Sequence, residues 1–143
     1  MMISALMPLP CAARWFCTVP LVGSDVRAGF PSPADDYLDG PLDFNELLIE
    51  NPAATFAVRV VGDSMLGAGI FPGDIAVVDR SRTAVDGNII LALIDGSFTL
   101  KRFRTRRGRV WLAAENANFP DLPVNEDSGF EVWGVVRRSI RML

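Results

Sequence analysis

The chain has 143 residues, half of them hydrophobic, and a formal net charge of −3. That is enough apolar material for a packed core, which excludes global disorder, and the wrong overall sign for a nucleic-acid binder working through bulk charge. There is no histidine, and the two cysteines, Cys11 and Cys17, are too few for a disulfide framework, so a Ser-His-Asp triad, a Cys-His pair and a zinc site drop out, and a reducing, cytoplasmic setting is the simplest reading.

Charge is unevenly spread: residues 1–28 carry +1, residues 29–100 carry −8 and residues 101–143 carry +4. Residues 1–23 are apolar but broken by Pro8, Pro10, Arg14 and Pro20. A membrane helix needs about 20 continuous apolar residues, and a signal peptide places its positive charges ahead of the apolar run; neither pattern is met. The segment reads as a flexible N-terminal arm in which Phe16, Val19, Leu21 and Val22 are available to pair or dock. Residues 24–41 have linker composition, and Pro31 and Pro33 bias their predecessors to extended backbone. The Ala28–Gly29 bond therefore lies in an extended, exposed peptide with minimal side chains, which a protease cleft could accept. On residue chemistry alone, an ordinary linker glycine is the preferred reading.

The arm is thus assigned to residues 1–41 and a folded β domain to residues 42–143. The domain opens with a short helix over 43–50, where Asp43 is the N-cap and Glu46 completes a capping-box pattern. Phe44, Leu47 and Leu48 share one face, which packs on a sheet, and Asn51-Pro52 stops the helix. Strands follow over 55–61, 75–78, 88–94, 97–104, 110–114 and 131–140. Asp95-Gly96 is a two-residue hairpin turn, and Arg106-Arg107-Gly108-Arg109 a second turn. Residues 115–129 read as irregular. Short strands and turns at this spacing predict a single, mostly β domain with a strongly coiled sheet and one short helix.

Acid–base chemistry is narrowly limited. Thirteen of the fourteen basic residues are arginine, which stays protonated in proteins. The single lysine, Lys101, is left to serve as a base beside the carboxylates, and burial lowers a lysine pKa by disfavouring the charged form. Strand alternation puts Lys101 on one face with Thr99 and Phe103. Ser64 stands at a strand-to-turn break in Val61-Gly62-Asp63-Ser64-Met65, where a bend exposes a hydroxyl and aims nearby N–H groups at an oxyanion. Gly-Asp-Ser is also a common turn sequence, so the residues alone leave open whether Ser64 is a nucleophile or a turn serine. The arginines at 102, 104, 106, 107 and 109 match phosphate chemistry, but alternation puts much of that cluster on a solvated face, and direct DNA binding is not expected.

The order Ala28-Gly29, Phe30-Pro31-Ser32-Pro33-Ala34, Val61-Gly62-Asp63-Ser64-Met65, Gly73-Asp74, and Asp95-Gly96 through Phe98-Thr99-Leu100-Lys101 resembles the LexA/UmuD family of self-cleaving proteins, and within it the UmuD branch. The helix over 42–50, Asn116 and Trp133-Gly134-Val135-Val136 extend the likeness from about residue 28 to the C-terminus. The repressor branch carries a helix-turn-helix ahead of the cleavage site, a pattern that residues 1–28 do not show. The resemblance implies that Ser64 is the nucleophile and Lys101 the general base. It implies Ala28–Gly29 as the scissile bond, with Gly62, Asp63 and Met65 supporting the turn and oxyanion. It also implies a homodimer, no metal or cofactor, cleavage stimulated by RecA filaments on single-stranded DNA, and a shortened product that joins a UmuC-type Y-family polymerase in translesion synthesis. The competing readings are a signal peptidase-like Ser-Lys enzyme acting in trans, and a non-catalytic interaction module.

Overall fold

The computed structural model describes residues 17–23, 26, 28 and 38–143. The chain divides into two compact units at Glu50/Asn51. In the N-terminal unit, β1 (Thr18–Val22) and β2 (Leu38–Asp43) pair antiparallel, with a bulge between Pro20 and Val22. Residues 38–41 are therefore strand and not linker. Their composition conceals this because Gly40 adopts φ +95 and Pro41, opposite Pro20, needs no ladder donor of its own. The helix α1 spans only Phe44–Leu48. Asp43 caps it by accepting the Asn45 N–H at 2.8 Å, and Ile49 turns extended at its end. Phe44 and Leu47 of α1 are about half exposed.

The C-terminal unit is a seven-stranded sheet. Its strands are β3 (Thr55–Arg59), β4 (Ile75–Asp79), β5 (Ile89–Ile94), β6 (Ser97–Arg106), β7 (Arg109–Ala113), β8 (Leu122–Val124) and β9 (Phe130–Ile140). They lie in the order β3-β4-β9-β5-β6-β7-β8 with every pair antiparallel. The protein is mostly β, as its sequence predicts. Both expected turns form with φ positive at the two central residues, Asp95 and Gly96 in one and Arg107 and Gly108 in the other, the geometry that matches strand twist in a tight hairpin. β8, inside the stretch read as irregular, is the missed strand of this unit. Its Pro123 removes a donor, which the sheet tolerates because β8 is an edge. No helix among the described residues is long and apolar enough to cross a membrane.

β9 is the organising strand. It pairs with β4 through one half and β5 through the other, with a register shift on each side. Ile90, Val78 and Val135 are buried completely or nearly so along this seam, each contributing about 1.5–3 kcal/mol of transfer free energy. Gly134 sits where β9 crosses from one partner to the other. A Cβ there would stand 2.6 Å from Val78 Cγ1 and 2.9 Å from the Asp79 carbonyl oxygen, so the crossing is closed to any side chain. Gly134→Ala is predicted to lower stability by about 1–3 kcal/mol through overpacking, read as a reduced denaturant midpoint at unchanged slope.

Candidate active site

The turn after β3 is built from its anchors outward. Val60 ends the apolar run and is tied back to the start of β4, donating its N–H to the Asp74 carbonyl and accepting from Gly73 N, both at 2.8 Å. Gly62 takes φ +82, a conformation that suits glycine, and turns the chain out of the sheet. Met65 then re-enters the core at 2% exposure, packed with Val60, Ile70 and Ala76. Ser64 is held between a glycine that opens the turn and a methionine that closes it. The far end of the loop is fixed by Asp74, a buried carboxylate that accepts from Phe71 N at 2.8 Å and from Arg141 Nε at 3.1 Å. Those bonds, the Arg141 one foremost, hold the Asp74 carboxyl below the ordinary carboxylate range.

Lys101 lies on β6 opposite Ile90 of β5. Its Nζ stands 3.0 Å from Ser64 Oγ, 2.9 Å from Thr99 Oγ1 and 3.2 Å from the Leu100 carbonyl oxygen. No carboxylate among the described residues pairs with it, and burial pushes its ammonium below the 10.5 of an ordinary lysine. Nζ has three oxygens within donating distance; in the neutral form two N–H groups can serve Leu100 O and Thr99 Oγ1, leaving a lone pair to face the Ser64 hydroxyl. Beside Ser64 runs a cleft of about 330 Å³, walled by Val58, Val60, Leu91, Phe98 and Leu100. The backbone N–H groups of Ser64 and Met65 have no acceptor among the described residues.

The structure thus brings together Ser64 and Lys101, with Gly62, Asp63 and Met65 forming the turn around them. Ala28 is exposed, and Gly29, the other half of the expected bond, lies outside the described residues. Thr99 was legible only as a face-sharing neighbour of Lys101; its direct contact with Nζ emerges from the fold. Also unforeseen is how the turn docks on the exit of β7. Glu115 N donates to the Ser64 carbonyl at 2.8 Å, Gly67 N donates to the Glu115 carbonyl at 2.7 Å, and Asn116 Nδ2 donates to the Asp63 carbonyl at 2.9 Å. A Cβ on Gly67 would stand 2.7 Å from the Glu115 carbonyl oxygen, so the docking requires glycine there. Two of the expected solvated arginines are paired: Arg102 with Glu115 at 2.8 Å and Arg104 with Asp86 at 3.3 Å.

A loop serine hydroxyl held 3.0 Å from a half-buried lysine amine on an antiparallel sheet has the parts of a Ser-Lys hydrolase. The profile described as Peptidase S24-like matches residues 20–137. Protein SamA of Salmonella typhimurium strain LT2 is 43% identical over 119 residues, covering 83% of this chain and 82% of SamA. Protein MucA of Escherichia coli is 40% identical over 124 residues, covering 86% of this chain and 84% of MucA. A LexA repressor from Parafrankia sp. is 42% identical over 108 residues, 76% of this chain and 42% of the repressor. The chain belongs to the peptidase S24-like family, as a UmuD-like member of the LexA/UmuD group.

The lowered Lys101 pKa fixes a sign for stability. Between the folded pKa and 10.5 the unfolded chain binds more protons than the folded one, so stability rises with pH across that window and the cost of burying the ammonium is greatest below it. Lys101→Met, neutral at every pH, is predicted to be more stable than wild type near neutrality. The gap in thermal midpoint should narrow as pH approaches 10.5.

Proposed function

We propose that this protein is a self-cleaving serine peptidase of the SOS DNA-damage response, with Ser64 as nucleophile, Lys101 as general base and Ala28–Gly29 as the bond cut. The observation that carries this reading is the 3.0 Å contact between Ser64 Oγ and a lysine amine whose burial favours the neutral form. Lys101 Nζ takes the Ser64 hydroxyl proton as Oγ bonds to the Ala28 carbonyl carbon. The backbone N–H groups of Ser64 and Met65 receive the developing oxyanion. The bond to Gly29 nitrogen then breaks, and Lys101 returns its proton to that amine. A water molecule, deprotonated by the same lysine, hydrolyses the ester to release the Ala28 carboxylate and restore Ser64.

The apolar cleft beside Ser64 suits an extended peptide with small or aliphatic side chains, such as Val26 and Ala28. A substrate tethered in the same protein needs little binding affinity, because tethering supplies high effective concentration. Family membership and the likeness to SamA and MucA support the physiological setting. In that setting the protein is a cytoplasmic homodimer, RecA filaments on single-stranded DNA stimulate its cleavage, and the product, residues 29–143, is the accessory subunit of a UmuC-type Y-family polymerase. The functional boundary then falls at the cleaved bond in the arm of residues 1–41, with residues 42–143 acting as the peptidase domain.

Purified protein held at alkaline pH is predicted to yield fragments with the masses of residues 1–28 and 29–143. The active base is the neutral amine, so the rate should climb with pH up to the folded-state pKa of Lys101 and then level off. Ser64→Ala and Lys101→Ala should each slow cleavage on the order of 10³-fold or more. A rate that stays flat from pH 6 to 10, or cleavage that survives in Ser64→Ala, would sink the assignment.

A further inference from the structure

Ser64 belongs to a loop and Lys101 to a central strand, so their separation depends on whatever holds the loop to the sheet. Three backbone-directed bonds do so, and all three reach residues 115 and 116: Glu115 N to Ser64 O, Gly67 N to Glu115 O, and Asn116 Nδ2 to Asp63 O. Residues 115 and 116 lie beyond the end of β7, outside any strand ladder. A side chain closes the circuit. Glu115 Oε1 accepts from Arg102 Nε at 2.8 Å, and Arg102 Nη1 donates to the Gly87 carbonyl at 2.7 Å. Arg102 is the residue after Lys101. The chain of contacts runs from the nucleophile's carbonyl, through the Glu115 backbone and carboxylate, into the peptide unit that carries the base.

We propose that the Arg102–Glu115 ion pair is a positioning brace that sets the distance between Ser64 Oγ and Lys101 Nζ, and that self-cleavage depends on it although neither residue meets the substrate. This rests on the peptidase reading above and adds to it the device that keeps the two reacting groups in register. The pair is well made for the task. Its side chains are 26% and 34% exposed, enough cover to strengthen the attraction without the penalty of full burial. The guanidinium is further fixed by the Gly87 carbonyl, so it presents one geometry to Glu115. A displacement of about 1 Å between reacting groups costs on the order of 100-fold in rate, so a brace of modest stability has a large kinetic effect.

The test is a charge-swap cycle read in two ways. Arg102→Glu, Glu115→Arg, Glu115→Gln and the Arg102→Glu/Glu115→Arg double variant are compared for alkaline self-cleavage below their melting temperatures. The same changes on Ser64→Ala protein are compared by amide hydrogen exchange over residues 64–70. The single swaps should slow cleavage about tenfold or more and speed exchange over 64–70. Glu115→Gln, which keeps an acceptor for Arg102, should lose less, and the double swap, which restores the pair but not the bond to the Gly87 carbonyl, should recover part of both readouts relative to either single swap. Wild-type cleavage rates in folded single-swap variants, or slowed cleavage with exchange over 64–70 unchanged, overturn the brace. Should a single swap fail to fold, Glu115→Gln and the double swap still carry the comparison. If wild type itself does not cleave, the peptidase reading fails, and the exchange arm alone decides whether the pair holds the turn.

Discussion

The site depends on one constraint: a lysine amine half-buried in a sheet with no carboxylate among the described residues to balance it. An ammonium taken out of water without a counter-charge is costly, and the response is a lowered pKa. Every neighbour of Lys101 Nζ fits that response. Thr99 Oγ1 and the Leu100 carbonyl accept from it and Ser64 Oγ approaches it, while none of them supplies the negative charge that would stabilise the protonated form. In the proposed reading, the base is produced by withholding a partner.

The sheet supplies the rest of the geometry. Lys101 is fixed by its pairing with Ile90 of β5, and from Arg102 onward β6 pairs with β7 as well. Ser64 needs separate fixing because it lies outside the strands. Gly62 turns the chain, Met65 anchors it in the core, Asp74 with Arg141 pins the end of the loop, and residues 115 and 116 dock its middle. These restraints come from widely separated parts of the chain and converge on a serine that no strand ladder holds.

Much of this was legible in the sequence, for identifiable reasons. The absence of histidine and the single lysine narrowed the chemistry before any fold was known. Strand alternation placed Thr99 beside Lys101, and Asp95-Gly96 specified the hairpin that presents both. What was hidden had physical causes. Residues 38–41 of β2 looked like linker because Gly40 and Pro41 obscure a strand whose pairing partner is distant in sequence. Leu122–Val124 carries a proline that only an edge position tolerates. The Glu115 dock was invisible because its bonds to Ser64 and Gly67 use backbone groups that every residue possesses, and the constraint at Gly67 is steric contact with a carbonyl far along the chain.

Because Lys101 is the only lysine in the chain, its protonation can be followed without ambiguity. Protein carrying Ser64→Ala and labelled with nitrogen-15 at lysine gives one side-chain Nζ resonance to titrate. A midpoint clearly below 10.5 is the predicted result. A midpoint at or above that value would mean that the amine is held as an ammonium, and would contradict the assignment of Lys101 as the base.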